Sequence, residues 1–339
     1  MANDTVLRIG DTDVSHGERV SIDLPIADLY TGTSLHMPVK VVRGKRNGPI
    51  LFVCAAVHGD ELNGVEIIRR LLAQKSLRRI RGTLIAVPVV NIYGFLNRSR
   101  YLPDRRDLNR SFPGSSRGSI ASRMANTFLK EIVSKAEYGI DLHTGAIDRS
   151  NFPQIRANLD DPATRDLAFS FAAPVIIDAS IRDGSLRSCA ADQKFPMLVY
   201  EAGEALRFDE TCIRAGLRGV LRVMRYLEML PPLKKSRQVK PVVAASTSWV
   251  RASASGIVSR KVALGARVEE GDALATIGDP LGEAQEKVIA PFAGIVIGRS
   301  NLPLAHEGDA LFNVAAFKSV ARAETKVEQF AAIHAELED

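Results

Sequence analysis

The stretch Leu51-Phe-Val-Cys-Ala-Ala-Val-His58-Gly-Asp-Glu61-Leu-Asn-Gly64 constrains the chain more than any other. A continuous apolar run of strand formers ends in a polar turn. Leu62, Val65, Ile68, Leu71 and Leu72 then recur at a spacing that buries one helical face between Glu61 and Gln74. A strand buried on both faces and followed by a helix belongs to an open α/β sheet, and such sheets carry their chemistry at the carboxyl ends of strands. Here that end holds an imidazole and a carboxylate three residues apart. Zn²⁺ is commonly held by three ligands drawn from His and Asp/Glu, with a fourth position left for water, and His58 and Glu61 are two candidates. A turn histidine followed by a Glu favoured by the helix dipole explains the same pair equally well. Other parts of the chain have to decide between the two.

Further along, Gly82 to Val90, Glu137 to Leu142, Pro174 to Asp178 and Met197 to Tyr200 read as buried strands. Ser119 to Val133 and Thr211 to Met229 read as helices, the latter closed by Pro231-Pro232. This alternation predicts an α/β domain with a largely parallel sheet over residues 1–240, preceded by short edge strands before residue 45. Asn91 to Gly118 has no periodicity, and a polar loop of that length inside a compact domain points to function. After a linker at Pro232 to Lys240, helical spacing stops. Short Val/Ile/Leu runs punctuated by glycine predict a small all-β module over 241–316. The tail, 317–339, carries Val320, Val327, Phe330 and Leu337 among charges, an amphipathic helix and a candidate subunit contact.

With 339 residues there is room for two domains, and no apolar run approaches the roughly 20 residues that span a bilayer. The amino-terminal residues lack a basic region followed by an apolar core, so no secretory signal is expected. Cys54, Cys189 and Cys212 form no C-x-x-C pair and fit buried packing in a reduced, cytoplasmic setting. A net charge of +6 is modest, and the basic residues are scattered without interleaved aromatics, which argues against nucleic acid as a partner.

Of the six histidines, His143 stands out. In Ile140-Asp-Leu-His-Thr-Gly145 it again follows an apolar run and precedes a glycine, so it is placed to converge with His58. Asp141 is suited to accept the free ring N–H of a metal-bound histidine, or simply to cap the turn. His306-Glu307 begins like an H-E-x-x-H helix but lacks the second histidine, and His16, His36 and His334 default to the surface. A zinc hydrolase also needs a group that takes a proton from water and hands it to the leaving amine. Glu201, read as the first residue past its strand, is preferred over its rival Glu204. In the polar loop, Asp107-Leu-Asn109-Arg110 offers a planar guanidinium and an adjacent amide for a carboxylate, with Arg100 a second anchor.

Taken in order, His58-x-x-Glu61, Asp107-Leu-Asn109-Arg110, Asp141-Leu-His143 and Glu201 resemble the succinylglutamate desuccinylase/aspartoacylase family, over about residues 45–315. The resemblance implies a zinc-carboxypeptidase-like mixed sheet flanked by helices and one Zn²⁺ per chain. It implies His58, Glu61 and His143 as ligands, and Asn109 and Arg110 as binders of substrate carboxylate. Arg100 would assist and Glu201 would be the base. It also implies hydrolysis of the amide of a small acylated amino acid, by a protein expected to form a homo-oligomer. The acyl group is left open, with Arg182 and Arg187 as nearby candidates for holding it.

The β module resembles a biotinyl/lipoyl barrel-sandwich hybrid, yet its hairpin tip near Gly278-Asp-Pro-Leu-Gly-Glu283 has no carrier lysine. A lid over the zinc pocket or a subunit contact is therefore expected of it. Two rival functions stand beside the deacylase. A zinc carboxypeptidase on small peptides would need an open groove, and a metal-binding protein without turnover would not need the base.

Overall fold

The computed structural model describes residues 6–179, 182–233 and 239–335. The middle of the predicted linker, the end of the tail with Leu337, and the side chain of His334 lie outside the described residues.

Among the described residues a 13-stranded sheet runs through the molecule. Its main path is Arg19–Asp28, Ser34–Arg43, Thr83–Val87, Ile50–Ala55, Tyr138–Gly145, Met197–Glu204, Arg149–Ala157, Gly294–Ser300, Ala310–Ala316 and Ser246–Arg251. Thr83–Val87, Ile50–Ala55, Tyr138–Gly145 and Met197–Glu204 pair in parallel. On this path everything outside them is antiparallel, so the sheet is mixed rather than largely parallel. The continuous apolar runs arise because these central strands are covered on both faces. On one face, Leu51, Val53, Leu142 and Tyr200 pack beneath the helices Asn63–Leu72, Pro162–Phe171 and Glu210–Tyr226. On the other, Phe52, Cys54 and Val87 meet the helices Ile120–Glu131 and Leu186–Asp192. Cys54, Cys189 and Cys212 are buried free thiols, as their packing role requires.

The helix after the first strand starts at Asn63 rather than Glu61, which leaves Glu61 in the turn. Ile67, Ile68 and Leu71 form its buried stripe, with Glu66 in the first turn and Arg69 and Arg70 in the last, in line with the helix dipole. Arg70 joins this helix to its neighbour: Nε donates to Glu66 at 2.7 Å, and Nη1 and Nη2 donate to the two oxygens of Glu210 at 2.7 and 2.8 Å. Arg69 donates to Glu66 as well. Hydrogen bonds from Arg69, then Arg70, outweigh burial and hold Glu66 at about 2. Those from Arg70 and Arg214 do the same for Glu210, also about 2. Carboxylates lowered on folding contribute stability above their ordinary value of 4.5, and that contribution is lost as pH falls toward 2. Arg70→Gln is accordingly expected to destabilise the fold by about 1 kcal/mol at pH 7. Urea midpoints should show this deficit shrinking between pH 4.5 and 3, and a deficit independent of pH would assign it to packing.

The C-terminal segment is all β from residue 242 to 316. Its strands divide between two sheets. Gln285–Ile289, Ala273–Gly278, Gly256–Ser259 and Leu304–Ala305 form a separate four-stranded sheet. Gly294–Ser300, Ala310–Ala316 and Ser246–Arg251 extend the central sheet beyond Arg149–Ala157. The tail helix Val320–Ala335 lays Val320, Ala323 and Val327 on Val175, Ile177 and Ile295. Phe330 meets Phe152 edge-on at 5.9 Å. The apolar face read as a candidate subunit contact is thus covered within the same chain.

Candidate active site

Three strand ends build the site. Past Ala55 the chain bends sharply at Ala56, whose φ of +50° is left-handed, and backbone hydrogen bonds from Val90 and Asn91 hold the bend. Strain of this kind concentrates at functional sites. His58 follows, then Gly59, where a Cβ would lie 2.0 Å from the backbone of Gly94. The turn can therefore seat against the short helix Ile92–Asn97 only without a side chain there. His143 lies inside its strand, not beyond it, because Tyr138–Gly145 runs two residues past His143. In the parallel register Cys54 faces Asp141, and His143 faces Glu201. Residues in register on neighbouring strands project to the same face, so the pleat alone brings these groups together. Glu201 likewise sits within its strand, Met197–Glu204, rather than past its end.

His58, Glu61 and His143 are all buried, and one ligand atom from each lies within 4.8 Å of the others. Glu61 Oε1 is 2.7 Å from His58 Nδ1, Oε2 is 2.7 Å from His143 Nδ1, and the two Nδ1 atoms are 3.2 Å apart. The outer nitrogens are each held by a carboxylate: His143 Nε2 by Asp141 at 2.7 Å and His58 Nε2 by Asp107 at 3.2 Å. Cys54 Sγ donates to the far oxygen of Asp141 at 3.4 Å. Burial alone would raise Glu61, but the two imidazoles beside it reverse this and hold it well below the usual carboxylate range. Burial pulls both histidines down, and the carboxylates, Glu61 for His58 and Asp141 for His143, override it and leave them raised. This donor set fits a divalent cation. Two nitrogens and a carboxylate face one point, and each imidazole has its remaining nitrogen fixed by an acid, as metal-bound histidines do.

The polar loop packs against this cluster. Arg100 donates to Asp107 through Nε and Nη2 at 3.3 and 3.0 Å, and through Nη1 to Glu61 at 3.4 Å. Arg100 thus ties the loop to the cluster. Asp107 also accepts from the Asn109 backbone N–H at 2.8 Å, and the Asn109 side-chain oxygen accepts from Leu186 N–H at 2.9 Å. That leaves the Asn109 amide NH₂ and the exposed guanidinium of Arg110, which also reaches the Asn109 carbonyl, on the wall of a cavity of about 520 Å³. His58, Glu61, His143 and Glu201 line the same cavity. Glu201 is held from both sides, by an Asn151 Nδ2 donor at 2.7 Å and by Arg156 Nε at 3.1 Å. Glu204 does not line it. Its oxygens accept from the backbone of Asp148 and from the side chains of Ser150 and Asn301.

Arg182 and Arg187 also reach the cavity wall. Burial, then the neighbouring Arg156, lowers Arg187. Away from the site, His306 caps a β turn with its backbone N–H. His16 is half-buried rather than on the surface, with Nδ1 3.1 Å from the Gly44 carbonyl and Nε2 2.8 Å from Arg43. Sequence reading missed Asn151 and Arg156, which hold Glu201, and gave Asp107 no task of its own. Asp107 opens the string that singled out Asn109 and Arg110, so a signal was there. The strand of Asn151 and Arg156 offers none, since its residues do not alternate in polarity.

The catalytic-domain model of the succinylglutamate desuccinylase/aspartoacylase family matches residues 47–227, the span that carries all of these groups. The chain belongs to this family. Among curated relatives, it is 25% identical to an N-alpha-acetyl-L-2,4-diaminobutyric acid deacetylase of Halomonas elongata over 278 residues, 78% of this chain and 80% of that protein. Its fold matches the product-bound ectoine utilization protein EutE of Ruegeria pomeroyi with a TM-score of 0.79 at 24% identity, covering 88% and 95% of the two chains. A family protein from Rhodobacter sphaeroides matches with a TM-score of 0.78 at 24% identity, over 88% and 95%. The mixed α/β architecture is thus shared across the family. Among the described residues, no helix is long and apolar enough to cross a membrane.

Proposed function

We propose that this chain is a zinc-dependent amidohydrolase that removes a small acyl group from an N-acyl amino acid. The observation that carries the proposal is the convergence of His58, Glu61 and His143 in one cavity with Glu201. These three residues would hold the ion, which when bound supplies Lewis acidity and makes water a nucleophile at neutral pH. Family membership, and a relative named as a deacetylase of an acetylated diamino acid, support amide hydrolysis.

Each remaining residue has a part in the chemistry. Arg110 would take the substrate α-carboxylate in a paired hydrogen bond, with the Asn109 amide beside it. Glu201 would accept the proton of the attacking water and return it to the amine as the C–N bond breaks, so that the products are a carboxylate and a free amine. Asn151 donates to one oxygen of this carboxylate and Arg156 pairs with the other as an ion, which holds it in place and leaves lone pairs for that proton. Arg100 would act by holding Asp107 and Glu61 in place more than by touching substrate.

The test is a panel of N-acyl amino acids, N-acyl diamino acids and dipeptides offered to the zinc-loaded protein. Hydrolysis of an N-acyl amino acid, lost on chelation and regained with zinc, is expected. Preferential cleavage of dipeptides would make it a carboxypeptidase, and no hydrolysis at full zinc occupancy would make it a binding protein.

A further inference from the structure

The strand of Glu201 loses its regular pairing just past that residue. Glu201 faces His143 on one neighbouring strand and Gln154 on the other, and on both sides the register then shifts. Ala202 has no register partner on either strand. Its carbonyl is taken up by a side chain instead: Asn63 Nδ2 donates to it at 3.1 Å. Asn63 opens the helix Asn63–Leu72, two residues after the ligand candidate Glu61, and is buried. The other end of its amide is used as well, since Oδ1 accepts from the Asp209 N–H at 3.1 Å. Asp209 in turn caps the helix Glu210–Tyr226 through the Cys212 N–H. One buried amide therefore joins the turn of His58 and Glu61, the strand of Glu201 and a second helix.

The surroundings leave this amide little room to move. A Cβ at Gly64 would lie 2.7 Å from that of Ala55 and 2.8 Å from that of Leu142, so the helix start sits directly on two central strands. A Cβ at Gly203, whose φ is +78°, would lie 2.4 Å from Asn63 Nδ2. Glycine alone lets the strand end come this close with that backbone. A second bond reinforces the first: the Leu206 N–H, from a residue held at a φ of +57°, donates to the Asp60 carbonyl at 2.8 Å. Burying an amide is costly unless both of its ends are paired, and here both are. An apolar residue would fill the same space without that requirement. What the amide adds is a fixed spacing between two backbone segments, one carrying ligands and one carrying the base.

We infer that Asn63 is a positioning residue: by tying the backbone after Glu201 to the turn of the ligands, it sets where Glu201 stands relative to His58, Glu61 and His143. The inference rests on the reading of Glu201 as the group that moves the proton. A misplacement of about 1 Å can cost about 10²-fold in rate, so such a link bears on turnover more than on binding. Asn63→Asp keeps the side chain's shape and an acceptor for the Asp209 N–H, and puts a carboxylate oxygen where the donor to Ala202 was. Gly203→Ala reaches the same bond from the other side, by pressing a methyl group against Nδ2.

In the zinc-loaded protein, kcat per folded, metal-bound molecule should fall at least about tenfold in both variants, on whichever N-acyl amino acid is hydrolysed fastest. KM, and the zinc Kd from chelator competition, should each stay within about threefold. Because the link acts through Glu201, Asn63→Asp should cost less than about threefold once Glu201→Gln is present. A crystal structure of either variant reads the same effect without turnover: the Glu201 carboxylate should move by about 1 Å while the three ligands stay in place. An unmoved carboxylate, an unchanged kcat, zinc lost in step with kcat, or a full loss retained in the Glu201→Gln background would each overturn the inference. Failure of both variants to fold would overturn it too, by making the link a requirement of the fold alone. Displacement of Glu201 in a protein that hydrolyses none of the substrates would instead overturn the deacylase reading and leave the link standing.

Discussion

Glu201→Gln is expected to lower kcat by about 10²–10⁴-fold, the range of a lost general acid–base group, while the protein keeps one zinc ion and its fold. The substitution preserves the side chain's shape and the acceptor for Asn151 Nδ2, so the wall around it need not move. What disappears is the capacity to take and return a proton. Because Arg156 faces the carboxylate at 3.1 Å, Arg156 loses its ionic partner in the variant, and a change in KM is expected as well. Steady-state kinetics with a metal assay on the same sample decides the matter. Near-normal kcat would remove Glu201 from the reaction, and parallel loss of zinc would make it part of the metal centre.

The second large effect concerns the triad. His143→Ala should abolish stoichiometric zinc binding and reduce turnover by at least about 10³-fold, since a site that lacks one of three ligands no longer fixes the ion. A ligand that binds only the folded state stabilises it by about 4 kcal/mol when present at 1,000 times its Kd, so the parent protein should show a marked rise in Tm on zinc addition. The variant should show little. The measurement is calorimetric unfolding with and without zinc, beside elemental analysis. A zinc-dependent Tm shift that survives His143→Ala would place the ion elsewhere in the chain. The same variant leaves Asp141 buried without its 2.7 Å partner, so its metal-free stability should also fall.

Much of this site was legible because the central strands are buried on both faces. Val53 and Cys54, like Leu84 and Ile85, lie on opposite faces of the sheet and are all buried, so the apolar runs are unbroken and end where the polar residues begin. His58 and His143 were found by that contrast. The strand Arg149–Ala157 was not, for the opposite reason. It carries Arg149, Asn151 and Arg156 toward a polar cavity and Phe152 toward the tail helix, so neither alternation nor an apolar run announces it. Trp249, which lines the cavity from the strand Ser246–Arg251, was invisible for another reason: its place is set by pairing between strands distant in sequence, and no local pattern reports such a register. Glu201 was chosen over Glu204 on a misjudged strand end, yet the parallel register with His143 places Glu201 on the cavity face.

The strands after residue 242 complete the central sheet, and this bears on how the chain can be divided. Shortened to its matched span, it would leave Arg149–Asn151 as a margin that has lost its partners in Gly294–Ser300, while Gln154–Ala157 keep theirs in Val175–Asp178. Bare β margins recruit other chains, and this one lies next to the strand of the proposed base. The protein is therefore not a catalytic core with a detachable accessory. An excised fragment would be prone to self-association, and any insolubility or inactivity it showed would report on that raw margin rather than on the chemistry of the native enzyme.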